Sequence, residues 1–290
     1  MKPAPFEYCR ADTLDEALDL MAEFGSDASV LAGGMSLGPM LNMRLARPAA
    51  IVDINPVETL AGIAADGGAV ETGALCRQVD ALGSPLVAET VPLLAEALPF
   101  VGHFQTRNRG TLGGSVCHAD PSAEIPLALV VSGGEIVLER KGRSRTVPAG
   151  DFFDGIFTTA REPGEIVTAL RWPVRRAGTG HAFDEIAQRR GDFAIGAAAA
   201  AASVAPDGGL SALSLGFGGI EDRPVLADLS GFAGAPATSG TAADAAALAA
   251  DRANPIEDPK ASAAYRRQLA RVLGRRVLER AFQRAGAPPC

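Results

Sequence analysis

The chain has 290 residues, of which 47% are hydrophobic and 21% charged, with a formal net charge of −7. This is an ordinary globular composition, long enough for two or three units around a sizeable core. The acidic balance and an aromatic content of 5% argue against a nucleic-acid surface, an anionic-membrane surface or a base-stacking platform. Taken in chain order, Thr13-Leu14-Asp15-Glu16 reads as a capping box. It predicts a helix carrying Leu14, Ala17, Leu18, Met21 and Phe24, stopped at Gly25. A short strand over 29–32, a short helix over 39–44 and a buried strand over 50–54 then make a compact parallel unit.

Between 60 and 173 the texture is one of short strands, expected at 62–65, 69–73, 135–140, 145–148 and 165–172. Turn residues at Asp66-Gly67-Gly68 and Lys141-Gly142-Arg143 suit antiparallel hairpins. Helices are expected at 78–98 and 121–131, the second with Asp120 as N-cap and Pro121 at its first position. The stretch 173–180 reads as a boundary. After it come candidate strands at 193–204 and 210–217, although propensity alone makes the alanine run 197–202 helical. A weakly specified loop-and-helix region at 232–253 precedes an amphipathic helix over 262–285, whose seven arginines read as a solvated or partner-contacting rim.

The four cysteines, Cys9, Cys76, Cys117 and Cys290, stand far apart with no C-x-x-C pair, so neither a thiolate zinc site nor an iron–sulfur cluster is encoded. The start MKPAPFEYCR lacks an apolar signal region, and the run 193–204 is too short for a membrane helix. The expectation is a cytoplasmic protein with reduced thiols, no membrane span and no nucleic-acid partner.

Two glycine loops share a design. One is Ala32-Gly33-Gly34-Met35-Ser36; the other is Arg107-Asn108-Arg109-Gly110-Thr111-Leu112-Gly113-Gly114-Ser115, running on to Asp120-Pro121-Ser122-Ala123-Glu124. Paired glycines let backbone N–H groups turn toward one anion, and a neighbouring hydroxyl adds a donor. Together the two loops favour a dinucleotide cofactor held by its pyrophosphate. Gly34-Met35-Ser36-Leu37-Gly38 also spells the G-x-S-x-G of a serine-hydrolase elbow, with His103, His118 and His181 available as bases. However, too little sheet precedes Ser36 and no oxyanion segment is marked. A Rossmann reading, with Asp53 as the ribose acid, fails on glycine spacing and element order.

These stretches, with Met43-Arg44-Leu45-Ala46-Arg47-Pro48, Val52-Asp53-Ile54, Arg189-Arg190-Gly191-Asp192-Phe193-Ala194 and Ala261-Ser262-Ala263-Ala264-Tyr265-Arg266, resemble the FAD-binding medium subunit of the molybdenum hydroxylases. That family includes carbon monoxide, quinoline, nicotine, caffeine and xanthine dehydrogenases. The resemblance implies an α+β fold: a two-lobed, vanillyl-alcohol-oxidase-like (PCMH-type) FAD-binding domain at 1–176, with lobes of about 1–57 and 58–176. A small α+β C-terminal domain of the carbon monoxide dehydrogenase flavoprotein type would follow at 177–290.

It further implies that Ala32, Gly33, Gly34, Met35 and Ser36 hold the FAD pyrophosphate from one side, and Thr111, Gly113, Gly114 and Ser115 from the other. Glu124 and Asp120 would bind the AMP-side ribose or its neighbours, and Val167 would pack on the cofactor. Met35 and Gly38 depart from the residues common in relatives, Gly38 completing the apparent hydrolase motif. The implied function is electron transfer, from two [2Fe–2S] clusters of a small subunit to FAD and on to an external acceptor. A large subunit with the molybdenum pterin cofactor would hydroxylate substrate, in a dimer of heterotrimers. The rivals are a stand-alone flavin oxidoreductase and a hydrolase using Ser36; no metal site and no protein acid or base is assigned to this chain.

Overall fold

The computed structural model describes residues 2–286, so Cys290 lies outside the described residues. The chain opens with β1 (Glu7–Arg10), α1 (Leu14–Phe24), β2 (Ala28–Leu31), α2 (Leu37–Asn42) and β3 (Ala50–Asp53), which form a parallel three-stranded sheet in the order β1-β3-β2. The capping box closes as its residues dictate. Thr13 Oγ1 accepts from the Glu16 N–H, and the Glu16 carboxylate accepts from the Thr13 N–H, each at 3.2 Å. Ala17, Leu18 and Met21 then fall on the buried side of α1. Strand β1 was not foreseen because its residues, mostly exposed, show no apolar alternation.

The middle of the chain forms β4 (Ile63–Asp66), β5 (Ala69–Gly73), α3 (Gln78–Gly83), α4 (Pro85–Thr90), α5 (Pro92–Ala97), α6 (Phe104–Arg109), α7 (Leu112–His118), α8 (Glu124–Val131), β6 (Glu135–Arg140), β7 (Arg143–Pro148), β8 (Phe153–Gly155), β9 (Thr158–Thr159) and β10 (Ile166–Pro173). Five of these strands make an antiparallel sheet in the order β4-β5-β10-β6-β7, while β8 and β9 pair separately. The expected helix over 78–98 is three helices, because Pro85 and Pro92 each start a new one and neither can donate to the turn before it. The expected helix over 121–131 begins only at Glu124, with Ala123 at the N-cap. Asp120 instead accepts from the Ser122 N–H at 2.8 Å, closing a turn ahead of the helix. Helices α6 and α7 occupy what the sequence presented as one glycine-rich loop.

The last part contains β11 (Thr179–Ala187), β12 (Ala194–Val204), β13 (Leu210–Gly218), β14 (Val225–Leu226), α9 (Ser239–Arg252) and α10 (Ala263–Arg284). The strands form an antiparallel sheet in that order, with α10 packed on α9 and across β11 and β12. The alanine run is a strand, and its alternation divides two cores. Ala197 and Ala199 pack toward α8 and the five-stranded sheet, whereas Ala198, Ala200 and Ala202 pack toward α9 and α10. No helix among the described residues is long and apolar enough to cross a membrane.

Arg275, Arg276 and Arg284 of α10 are exposed, as expected of a rim, but not every arginine of the helix belongs to it. Arg266 is only 2% exposed and bonds the Ile195 and Gly219 carbonyls and the Asp258 carboxylate. Arg280 donates to the Phe183 carbonyl, and Arg284 to the His181 carbonyl and Glu96. The helix is thereby riveted to the sheet by charge-assisted bonds. Replacing Arg266 with Met leaves two carbonyls and a carboxylate without their donor, so R266M should lose about 3–5 kcal/mol of stability. Urea unfolding of the full chain measures this directly.

Candidate functional site

The end of β2 carries the first glycine loop to the edge of the parallel sheet, facing the α6–α7 junction. Gly33 lies so close to that junction that a Cβ there would stand 2.2 Å from the Arg109 carbonyl oxygen. Gly34 takes the left-handed conformation, with φ of 72°. The two loops are also bridged by side chains. Arg77 donates to the Arg109 carbonyl at 2.5 Å and to Asn55 Oδ1 at 2.8 Å, while Asn55 Nδ2 donates to the Ala32 carbonyl at 2.8 Å. Asp53 orients Asn55 by accepting from its amide at 2.6 Å, and it accepts from the Tyr8 hydroxyl at 2.6 Å. Burial pushes the Asp53 carboxyl up, but the bonds from Tyr8 and Asn55 outweigh it and hold the group below the ordinary aspartate range. Neither this bridge nor the role of Asp53 was foreseen.

Between the loops lies a cavity of about 550 Å³. All twelve residues singled out from the sequence line it: Ala32, Gly33, Gly34, Met35, Ser36, Thr111, Gly113, Gly114, Ser115, Asp120, Glu124 and Val167. Gln78, Thr106, His118, Phe157, Arg161 and Phe193 line it too, and sequence reasoning did not assign them to the site. The His118 and Phe157 rings pack at 4.9 Å between centroids. Glu165 anchors the entry to β10, and so places Val167, through paired bonds from Arg145 at 2.6 and 2.8 Å.

The donors of the two loops are not equivalent. Among the described residues, no acceptor takes the N–H groups of Gly33, Gly34, Met35 or Ser36. In the second loop the Gly113 N–H bonds the Ala74 carbonyl at 3.0 Å, the Gly114 N–H bonds Thr111 Oγ1 at 3.0 Å and the Ser115 N–H bonds the Thr111 carbonyl at 3.2 Å. That loop is therefore a self-capped helix start that presents hydroxyls, whereas the first presents bare backbone donors. The hydrolase reading gains no support. Ser36 has an ordinary φ of −100° rather than a strained elbow, and among the described residues no histidine bonds its hydroxyl.

Two further features suit a nucleotide ligand. Gln78 Oε1 is buried in the lining without a partner. Glu124 is 4% exposed, and burial pushes its carboxyl up to about 7, with the nearby Asp120 adding to the rise. Behind it, Glu185 of β11 is pushed up to about 8 by burial and then by the Glu124 and Asp184 charges. The free amides, the orphaned acceptor and the buried acid fit the pyrophosphate, amide and hydroxyl groups of FAD.

Alanine at position 33 would drive its Cβ into the Arg109 carbonyl, so G33A must part the loops and should strip flavin from the purified protein, read as the ratio of visible to protein absorbance. Glu124 and Glu185 give a second expectation. A carboxyl raised on folding holds a proton that the unfolded chain has released. Its stabilisation is therefore full below the ordinary glutamate range and lost as pH rises through about 7 to 8. His118 and His181, both pushed down by burial, act in the opposite sense at the acid end. Urea midpoints from about pH 6.5 to 9 should fall for the wild type and fall less for E185Q.

The description "FAD binding domain in molybdopterin dehydrogenase" matches residues 4–175, and "CO dehydrogenase flavoprotein C-terminal domain" matches residues 181–281. The chain is 36% identical to subunit alpha of the 6-hydroxypseudooxynicotine dehydrogenase complex of Paenarthrobacter nicotinovorans, over 98% of this chain and 97% of that one. It is 34% identical to the carbon monoxide dehydrogenase medium chain of Afipia carboxidovorans, over 98% and 99% of the two chains. The solved carbon monoxide dehydrogenase of Hydrogenophaga pseudoflava, a form lacking the Mo-pyranopterin moiety of the molybdenum cofactor, superposes with a TM-score of 0.94 at 34% identity, covering 98% and 99%. The two-loop cavity thus lies within a matched FAD-binding domain, and the chain belongs to the family of FAD-binding medium subunits of the molybdenum hydroxylases, an oxidoreductase subunit of mixed α and β structure.

Proposed function

We propose that the chain is the electron-transferring flavoprotein subunit of a cytoplasmic, three-subunit molybdenum hydroxylase. A large subunit with the molybdenum pterin cofactor hydroxylates the substrate. A small subunit with two [2Fe–2S] clusters relays electrons to FAD in this chain, which passes them to an external acceptor. The assembly is a dimer of heterotrimers, with residues 1–176 as the FAD-binding domain in two lobes and 177–290 as the C-terminal domain. Relatives named as a medium chain or as a subunit of a dehydrogenase complex support the division of labour.

The observation that carries the reading is the cavity between the loops, with unclaimed N–H groups on Gly33, Gly34, Met35 and Ser36. Bound FAD supplies the redox chemistry, and the protein binds and positions it. The first loop directs its backbone donors at the pyrophosphate. Thr111 and Ser115 add hydroxyls from the opposite side, backed by the glycines that let α7 begin there. Glu124 and Asp120 accept from ribose hydroxyls, and Val167 packs on the cofactor.

The complex purified after co-expression with its partners should show a flavin spectrum, while the chain alone should bind flavin without turning over a substrate. Absence of flavin from the co-expressed complex refutes the reading, and turnover by the chain alone would establish the stand-alone oxidoreductase instead. S36A removes one neutral hydrogen bond and should weaken FAD binding by about 2–10-fold.

A further inference from the structure

A second cavity, of about 300 Å³, opens where the four-stranded sheet meets α5, the end of α8 and the segment after β10. It shares no lining residue with the cavity between the glycine loops. It exists because the strand residues facing it are short. Ala201 and Ser203 on β12, with Ala212 and Ser214 on β13, cannot reach Val91 and Leu93 opposite.

The lining chemistry is cationic and donor-rich. Arg175 and Arg176 stand at the mouth, and among the described residues neither guanidinium has a carboxylate or carbonyl partner. Their backbone is nonetheless pinned, the Arg175 N–H by the Thr90 carbonyl at 2.8 Å and the Arg176 carbonyl by the Thr179 N–H at 3.2 Å. His181 lines the wall with Nδ1 buried and unbonded. Ser132 and Ser214 offer hydroxyls that bond nothing among the described residues, and Thr179 and Ser203 are 2.7 Å apart beside them. The acid near His181, Glu96, is already neutralised by Arg284.

An unpaired arginine pair on pinned backbone, an orphaned buried imidazole nitrogen and unclaimed hydroxyls around one small cavity make an oxyanion site. We infer that this seam binds a small organic anion bearing a phosphate or carboxylate group. A ligand there touches both the five-stranded-sheet unit and the four-stranded sheet, so its binding stabilises their packing.

The test uses the full chain saturated with FAD, so that the glycine loops are already occupied. Inorganic phosphate and citrate, titrated separately against sodium chloride at matched ionic strength, distinguish a phosphate from a carboxylate ligand. At least one of them should raise the melting temperature saturably beyond chloride. R175Q/R176Q, at exposed positions, should weaken the effect at least about tenfold while leaving the flavin content unchanged. S214L, which fills the cavity but keeps both guanidinium groups, should abolish it. No saturable rise beyond chloride with either anion, or a rise that the arginine pair variant retains in full, overturns the proposal.

Discussion

The constraint on which the site depends is the approach of Gly33 to the carbonyl of Arg109. Two chain segments about 75 residues apart meet there with no room for a Cβ. Backbone this close is not held by hydrophobic burial, which acts on side chains. It is held by the Arg77 guanidinium and the Asn55 amide, which tie the carbonyls of the two loops to one another. Each carbonyl so used is occupied by a side-chain donor, while the N–H groups of the first loop stay unclaimed beside the cavity. The bridge thus ties the two loops together and leaves backbone donors, not acceptors, free in the first of them.

The two loops serve different ends although they share glycine pairs. In the first, glycine permits a left-handed turn and a close approach, and the donors stay free. In the second, the donors are consumed by Thr111 and Ala74, which makes Leu112–His118 a rigid helix start rather than an open cradle. A site with one free and one self-satisfied wall is preorganised on one side and open to an anion on the other. Were both walls free, the empty protein would carry many buried unpaired amides, each at a cost.

The sequence made the loops, the capping box and the parallel unit legible because each rests on chemistry within a few residues: glycine at a turn, Thr13 with Glu16, apolar spacing in α1. The Arg77–Asn55 bridge was invisible because its members are 22 residues apart and neither sits in a motif. Asp53 shows the limit of spacing arguments. It stands where a ribose-binding acid is expected in another fold, yet here it orients an amide. Arg266 of α10 shows the same limit, since periodicity cannot distinguish a solvated charge from a buried one that caps strand carbonyls. The alanine strand resolved against its propensity because both faces had cores to fill. A helix would present alanine all round, whereas a strand deals alternate residues to each core.

That strand also explains why the acid end of the cavity can remain polar. The small side chains of β12 let the four-stranded sheet seat closely against α8, which buries Glu124 and brings Glu185 up behind it. A carboxyl buried without a cationic partner opposes folding unless it keeps its proton. Apolar residues in both positions would pack without that cost. An acid tolerated in the lining of a cavity that also holds an orphaned glutamine oxygen fits the proposed function, in which its partners arrive with a ligand. Under the proposed function the hydroxyls of a bound nucleotide would be those donors, and the close packing that buries the acid would then serve recognition.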